Sequence, residues 1–303
     1  MPRTILLQFD CDPQPSTFDA VVAVDAGADV LLRHASVTPD SVVPLVHGAM
    51  FTRGGSDLAA TAIFIGGSDV AAAEAVFRRI RETFFGPVRV SVLLDPAGAN
   101  TTASAAVVAA GRHLSWGEAT GIRAVVLGGT GPVGQRVARL LVRKGAVVTI
   151  ASRSETRASE TARRIAAVVP GARLEAAGMD HRGDGRGPLT AAIAGADLVV
   201  AAGAAGVTLL DAAARTEAAR AKVLIDLNAV PPAGIAGIAA SDKARAERGA
   251  VLYGALGVGG TKMKIHRAAI RQLFTANDAC LDAEELLAIG ESLESDRAAS
   301  GST

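Results

Sequence analysis

Six consecutive residues, Gly129-Thr130-Gly131-Pro132-Val133-Gly134, set three glycines at the G-x-G-x-x-G spacing. That spacing suits a backbone that turns tightly and then presents bare N–H groups to a pyrophosphate at the start of a helix. Alone, the pattern is common. Here an apolar run over 123–128 leads into it, and Val133, Val137, Leu140 and Leu141 recur behind it on one face of a predicted helix over 132–144. A second apolar run, 146–151, follows at the distance a βαβ unit requires. Gly129 is expected to allow the tight turn, Gly131 the approach of the phosphates, and Gly134 the close packing of helix on strand. Thr130, Pro132 and Val133 complete the segment that faces the cofactor.

The second of these strands ends on Ser152-Arg153-Ser154. A carboxylate there would hold a ribose 2'-hydroxyl and repel a 2'-phosphate, whereas a guanidinium grips the phosphate through paired hydrogen bonds and serine hydroxyls add donors. The expected cofactor is therefore NADP. Arg153 has a plainer reading as a surface arginine, because arginine is this chain's preferred cation and only five of its 31 basic residues are lysine. Two later apolar runs end at Ala202-Gly203 and at Asn228. Ligands of open α/β sheets lie beyond such strand ends, so a small residue there leaves room for a nicotinamide ring and an asparagine can bond its carboxamide. Gly203 and Asn228 are also ordinary turn residues.

These residues need a scaffold, and the chain is long enough to provide two cores: 303 residues, half of them apolar and a fifth charged. The first hundred residues alternate apolar and helical segments, from "TILLQFD" through "DVAAAEAVFRRIRETFFG" to "RVSVLLDPAG". Such alternation predicts a largely parallel sheet. "ANTTASAAVVAAGRHL" reads as a helix leaving this first unit. After it come the glycine motif, a helix over 155–168, two buried strands in "ADLVVAAGAAG" and "KVLIDLNAV", and a further strand in "AVLYGALGVGG". Two helices beyond Lys262 close the chain and are expected to return to the first domain, leaving "RAASGST" as a frayed tail. The fold class is α/β: a Rossmann-type doubly wound parallel sheet domain over 105–267, and a smaller α/β domain from 1–104 with 268–303.

Formal net charge is +1 and no basic block occurs, which gives no footprint for nucleic acid or an anionic membrane. Cys11 and Cys280 lie far apart without metal-ligand spacing, so neither a disulfide framework nor a metal site is expected. The apolar run near the N-terminus is too short for a signal peptide, and the expected location is the cytoplasm.

Further blocks carry a resemblance. "LLQFDCDPQPSTFDAVVAVDAGAD", "FTRGG", "TAIFIGG", "DPAGANTTA", "LGGTGPVG", "DLNAVPPAGIAGI" and "GALGVGGTKMKIHRA" together resemble the NADP-dependent methylene-tetrahydromethanopterin dehydrogenases of methylotrophic bacteria, over residues 5 to about 270. The resemblance implies that the smaller domain binds a pterin, that a methylene-tetrahydropterin is oxidised to the methenyl form with NADP, and that the protein is a homo-oligomer. The carrier is tetrahydromethanopterin or tetrahydrofolate. "AVPPAGIAGI" is shared by the branch that also accepts NAD, while "LLQFD" and "GGTGPVG" are similar to the strictly NADP-linked branch.

Hydride departure from a carbon bridging two ring nitrogens leaves a cation delocalised over N–C–N, so no side chain need remove a proton. Catalysis then rests on positioning and on tolerance of shifting positive charge. Asp19 and Asp95 are candidates to bond the pterin's amino-pyrimidine edge or to favour the cation, and Asn100, Thr101 and Thr102 share the "DPAGANTTA" junction with Asp95. Each of these is equally a cap or turn residue. Lys262 resembles the lysine of the family's "GGTK" segment, where it would position a pterin carbonyl or the cofactor; the alternative is a helix-start lysine reaching solvent. His266, one turn on, is a further contact candidate or a packing residue.

Three rivals remain. A dehydrogenase with cyclohydrolase activity would want a lysine-tyrosine partnership, and the single tyrosine, Tyr253, falls in a late strand of the Rossmann domain. A shikimate-type dehydrogenase would want a lysine in the first domain, yet none precedes Lys144. A sensor that binds NADPH without turnover would share the same glycines.

Overall fold

The computed structural model describes residues 2–179 and 187–300. The chain divides into two compact units, one running up to Thr101 and resuming at Met263, the other spanning Thr102–Lys262. Sequence reading set these limits at 104/105 and 267/268. Both divisions fall inside helices that continue from one unit to the other, so no turn residue marks them.

In chain order the first unit contributes β1 (Ile5–Asp10), α1 (Thr17–Asp25), β2 (Val30–His34), α2 (Val42–Phe51), β3 (Thr61–Gly66), α3 (Val70–Thr83) and β4 (Ser91–Leu94), before α4 (Ala99–Gly111) crosses into the second. The second holds β5 (Arg123–Leu127), α5 (Pro132–Arg143), β6 (Val147–Ser152), α6 (Glu155–Val168) and β7 (Arg173–Gly178). It continues with α7 (Pro188–Ala194), β8 (Leu198–Ala201), α8 (Ala212–Glu217), β9 (Val223–Asp226), β10 (Lys243–Glu247) and β11 (Ala250–Tyr253). Helix α9 (Ala255–Gln272) leads back to the first unit, which β12 (Cys280–Leu281) and α10 (Ala283–Ser300) complete.

The first unit's sheet is parallel throughout, in the order β12-β4-β3-β1-β2. β3 and β4 are buried along their whole length because both faces of the sheet's interior are covered, whereas the edge strand β2 is partly exposed. Leu7, Phe9, Ile63, Ile65, Val92 and Leu94 pack against Val42, Val46 and Met50 of α2 and Val76 and Ile80 of α3. Asp69 starts α3 by accepting a hydrogen bond from the N–H of Ala72 at 3.0 Å. Winding reverses between β1 and β3, which opens a crevice at their carboxyl ends, where such sheets bind ligands.

The second unit's sheet has the order β10-β11-β9-β8-β5-β6-β7, parallel except for β10, which runs antiparallel to β11. Its switch point lies between β5 and β8. This is the arrangement expected of a doubly wound dinucleotide-binding sheet.

Three strands escaped sequence reading. β7 and β10 are edge strands whose polar residues stay in contact with water, so neither presents an apolar run, and β12 is two residues long. One expectation is corrected outright. "AVLYGALGVGG" is a strand only through Tyr253; Gly254 directly precedes α9, and Gly257, Gly259 and Gly260 lie inside it. A Cβ on Gly254 or Gly257 would run into the carbonyl oxygens of Ala239 and Asp242 respectively. The N-terminal end of α9 thus lies directly on the 239–242 backbone, held there by N–H groups of Gly254 and Leu256 donating to Asp242 and Ala240 at 2.8 Å. A second correction concerns the tail: α10 continues through Arg297 to Ser300, and residues 301–303 of the expected frayed segment lie outside the described residues.

Candidate cofactor and substrate sites

The glycine turn follows β5 at the switch point. The residue with the left-handed backbone is Gly128, at φ +69°, one position before the glycine that sequence reading chose for the turn. A Cβ there would stand 2.5 Å from the Cα of Gly203 at the end of β8, so the turn and the neighbouring strand end meet backbone to backbone. Gly129 has a different constraint: its Cβ would meet Ile150 at 2.8 Å and the Val126 carbonyl at 2.9 Å. A Cβ on Gly134 would stand 2.6 Å from the Gly128 carbonyl, which seats α5 on the turn. Gly131 is less crowded, with its nearest neighbour at 3.4 Å.

Gly131 is the N-cap of α5, and no side chain caps this helix; Pro132 occupies its first turn. The N–H groups that open α5 therefore lack the side-chain acceptor that Ser154 supplies to α6. They are the donors a pyrophosphate would take, with the positive end of the helix dipole behind them. Gln135 braces the loop by donating to the Thr130 carbonyl at 2.6 Å.

At the end of β6, Ser152 is buried and its hydroxyl shares a hydrogen bond with Thr130 at 3.2 Å. Ser154 caps α6 by accepting from the Arg157 N–H at 3.3 Å. Both serines are thus engaged locally. Arg153 between them is exposed, and no hydrogen bond or ion pair engages its guanidinium among the described residues.

Ala202 donates its N–H to Leu127 at 2.9 Å, joining the ends of β8 and β5. Gly203 again has no room for a side chain, since a Cβ would lie 2.6 Å from Leu209. Asn228 uses both ends of its carboxamide on its own loop. Its amide donates to the Pro232 carbonyl at 2.9 Å and its oxygen accepts from Val230 at 3.0 Å. Buried Asp226, which sequence reading passed over, organises the same loop by accepting from the N–H groups of Asn228 and Ile235, each at 3.0 Å. Its signal was a lone acid closing an apolar strand.

In the first unit, the crevice between β1 and β3 is bordered by Asp10, Gly66 and Asp19. Asp10 is fully buried, its two oxygens accepting from the N–H groups of Asp12 at 3.0 Å and Ser16 at 2.9 Å. Asp19 is half-buried in the first turn of α1, and its carboxylate lies 3.7 Å from where a Cβ on Gly66 would be. The same Cβ would stand 3.2 Å from Phe64 and 3.3 Å from Asp10, so glycine here lets these side chains close in on the end of β3.

Asp95, Asn100 and Thr101 form a closed corner. All three are fully buried. Asp95 accepts from the N–H groups of Asn100 and Thr101 at 2.9 and 3.0 Å and from the Thr101 hydroxyl at 2.6 Å. The Asn100 amide donates to the Leu94 carbonyl and to Asp282 at 2.6 and 2.7 Å. These polar groups join β4, α4 and the start of α10 rather than facing an opening. Thr102, the next residue of α4, is half-buried.

His266 is fully buried in α9, stacked on Phe64 at 5.7 Å and tilted toward Phe18 at 6.5 Å. Lys262 stands in the middle of α9 and is half-buried, which corrects the expectation of a helix-start lysine. Tyr253 is buried, and its hydroxyl shares a 2.9 Å hydrogen bond with His113, whose pKa is pushed down by burial and by the charge of Arg112. Among the described residues no group of His, Cys, Asp and Glu side chains could hold a metal ion, and no helix is long and apolar enough to cross a membrane.

Comparison with known proteins places these features. A family described as "Methylene-tetrahydromethanopterin dehydrogenase, N-terminal" matches residues 17–97, and one described as "Saccharopine dehydrogenase NADP binding domain" matches 124–234. Two proteins of Methylorubrum extorquens strain AM1 are similar over nearly the whole chain. "Bifunctional protein MdtA" is 42% identical over 297 residues, 97% of this chain and 100% of that protein. "NAD(P)-dependent methylenetetrahydromethanopterin dehydrogenase" is 34% identical over 93% of this chain and 96% of that protein. Among solved structures, quinate dehydrogenase from Corynebacterium glutamicum in complex with NAD superposes with a TM-score of 0.53 at 16% identity, covering 96% of this chain and 100% of that one. That last likeness is one of fold alone.

Proposed function

We infer that this chain, which belongs to the methylene-tetrahydromethanopterin dehydrogenase family, oxidises methylene-tetrahydromethanopterin to the methenyl form with NADP in one-carbon metabolism. The observation that carries the reading is the turn at the β5/β8 switch point, where Gly128 and Gly203 meet without side chains and α5 opens uncapped. NADP, when bound, supplies the carbon that accepts hydride.

The chain's own residues have positioning and electrostatic tasks. The N–H groups of Val133 and Gly134 hold the pyrophosphate, that of Gly131 being spent on the Gly128 carbonyl at 3.0 Å, and Arg153 takes the 2'-phosphate, for which its exposed guanidinium has no competing partner among the described residues. Asp19, half-buried beside Gly66 at the end of β3, bonds the amino-pyrimidine edge of the pterin, and its charge favours the cation that hydride departure creates. Asp95, Asn100 and Thr101 fix the β4–α4 corner from behind, so their contribution is to hold Thr102 and α4 in place. Lys262, half-buried in α9, orients the pterin. No general base is required.

Purified protein mixed with NADP and methylene-tetrahydromethanopterin should develop the near-ultraviolet absorbance of NADPH. Tight NADPH binding with no turnover on either the methanopterin or the folate carrier would instead establish a sensor. The ratio of kcat/KM on the two carriers reads the preference, and NAD in place of NADP reads cofactor strictness. Hydrolysis of the methenyl product is disfavoured by the position of Tyr253, buried and bonded to His113; a steady methenyl-pterin absorbance in the presence of protein is expected.

The working form is a cytoplasmic homo-oligomer. Helix α1 leaves Phe18, Val21 and Val24 exposed along one side, an apolar strip that a second copy would cover. Light scattering coupled to size exclusion measures the mass directly.

A further inference from the structure

We propose that the first unit carries a second ligand site, for a small multiply charged oxyanion, in the cavity between the C-terminal end of α1, α9 and α10. The cavity, about 470 Å³, is lined by Asp25, Lys264, Arg267, Arg271 and Leu293. Three of the five are cations and one is an acid. The cations stand at positions 264, 267 and 271 of α9, a spacing that aligns them on one helix face. Like charges so placed repel one another, and only Arg267 has an acidic partner: its guanidinium pairs with Asp25 at 3.0 Å. Lys264 and Arg271 are exposed and make no ion pair among the described residues.

Arg267 adds a second, independent observation. Its Nε is buried and donates to nothing, while the other edge of the same guanidinium is engaged with Asp25. A guanidinium has five donors in a fixed fork, and a buried one left unsatisfied is costly unless an acceptor reaches it. An oxyanion seated between Lys264 and Arg271 would balance the excess of positive charge that Asp25 leaves on this face. The ligand class follows from what lines the cavity. With no aromatic ring and a single leucine, nothing offers a stacking surface for a pterin or a nicotinamide, so charge is the recognised feature. The place also differs from that of the substrate crevice. Asp25 ends α1, about 9 Å along its axis from Asp19 in its first turn.

The inference does not depend on the dehydrogenase reading. Its test is calorimetric titration of the full-length protein, saturated with NADP so that the α5 turn is filled, with inorganic pyrophosphate and, separately, with citrate. Potassium chloride of matched ionic strength is the control. Saturable binding of either anion is expected, and the K264A/R271A double variant should lose roughly tenfold or more in affinity while keeping its NADP affinity. Both substituted side chains are exposed, so the fold should persist; K264E alone, which reverses one charge, should weaken binding as well. Pyrophosphate binding alone assigns the site to phosphorylated ligands, and binding of both anions assigns it to polyanions in general. Equal affinity in wild type and double variant, or no heat beyond the chloride control, would overturn the proposal.

Discussion

Gly128 and Gly203 face each other with no room for a single added carbon, since a Cβ on the first would lie 2.5 Å from the Cα of the second. They come from different strands, β5 and β8, and their approach brings the two strand ends together at the switch point. Gly128→Ala must both adopt a left-handed backbone and displace β8. The expected cost is on the order of 1–3 kcal/mol for the backbone alone. Calorimetry should show a lowered Tm, accompanied by loss of NADPH binding. Gly131→Ala makes the informative contrast: its Cβ clears the protein at 3.4 Å, so Tm should stay near that of wild type while a methyl group set toward the phosphates weakens NADP binding. A Gly131→Ala protein with unchanged NADP affinity would show that the pyrophosphate lies elsewhere.

Arg153→Ala should discriminate between the two nicotinamide cofactors. A charge-assisted hydrogen bond contributes about 1.5–3 kcal/mol, so kcat/KM for NADP should fall roughly 10- to 100-fold while that for NAD changes little. Equal losses on the two cofactors would place the 2'-phosphate against another residue.

Asp19 and Asp95 should part company on substitution. Asp95→Ala leaves two buried N–H groups without their acceptor, at about 1–3 kcal/mol each, and the Thr101 hydroxyl with only the Gly98 carbonyl at 3.3 Å. Against a total stability of about 5–15 kcal/mol, the variant should be largely unfolded or insoluble. Asp19→Ala should keep its fold, because Ser16 caps α1 through its own hydroxyl, and should raise the pterin KM roughly tenfold. An Asp19→Ala enzyme with wild-type kinetics on both carriers would remove the carboxylate from the site.

Cys11 lies beside Asp10, and burial first, then the charges of Asp10, Asp12 and Asp69, raise its thiol from an ordinary 9.0 to about 11. The thiol should therefore stay protonated at pH 8 and react with iodoacetamide far more slowly than a free cysteine, accelerating only as pH approaches 11. Because the folded-state value is raised, the associated stability is complete below 9.0 and is lost as pH climbs through about 11. Rapid alkylation of Cys11 at pH 8, located by mass spectrometry, would contradict this.

The parts of the fold that showed in the sequence are those where burial on two faces forces an unbroken apolar run, as in β3, β5 and β8, or where glycine and an N-cap punctuate such runs. β7 and β10 did not show because an edge strand keeps water on one side and needs no such run. The glycines at the start of α9 misled for a physical reason: Gly254, just before the helix, and Gly257, within it, are small so that the helix can lie on the 239–242 backbone, a tertiary demand that local pattern does not express. In the candidate sites, residue types were easier to read than their direction. Asp95, Asn100 and Thr101 look like ligand-facing residues in a linear string, and their mutual hydrogen bonds appear only once β4, α4 and α10 converge. Asp19, in an equally polar stretch, stays half-buried in the first turn of α1, where it comes near Gly66 of β3.

The pairing of β12 with β4 joins Cys280 to Val92, residues nearly two hundred positions apart. On the ribosome, the middle unit can therefore assemble while the first still has a bare strand edge awaiting the last part of the chain. Early termination after Lys262 would release that edge permanently, and nascent chains stalled there should be the ones that recruit chaperones or aggregate.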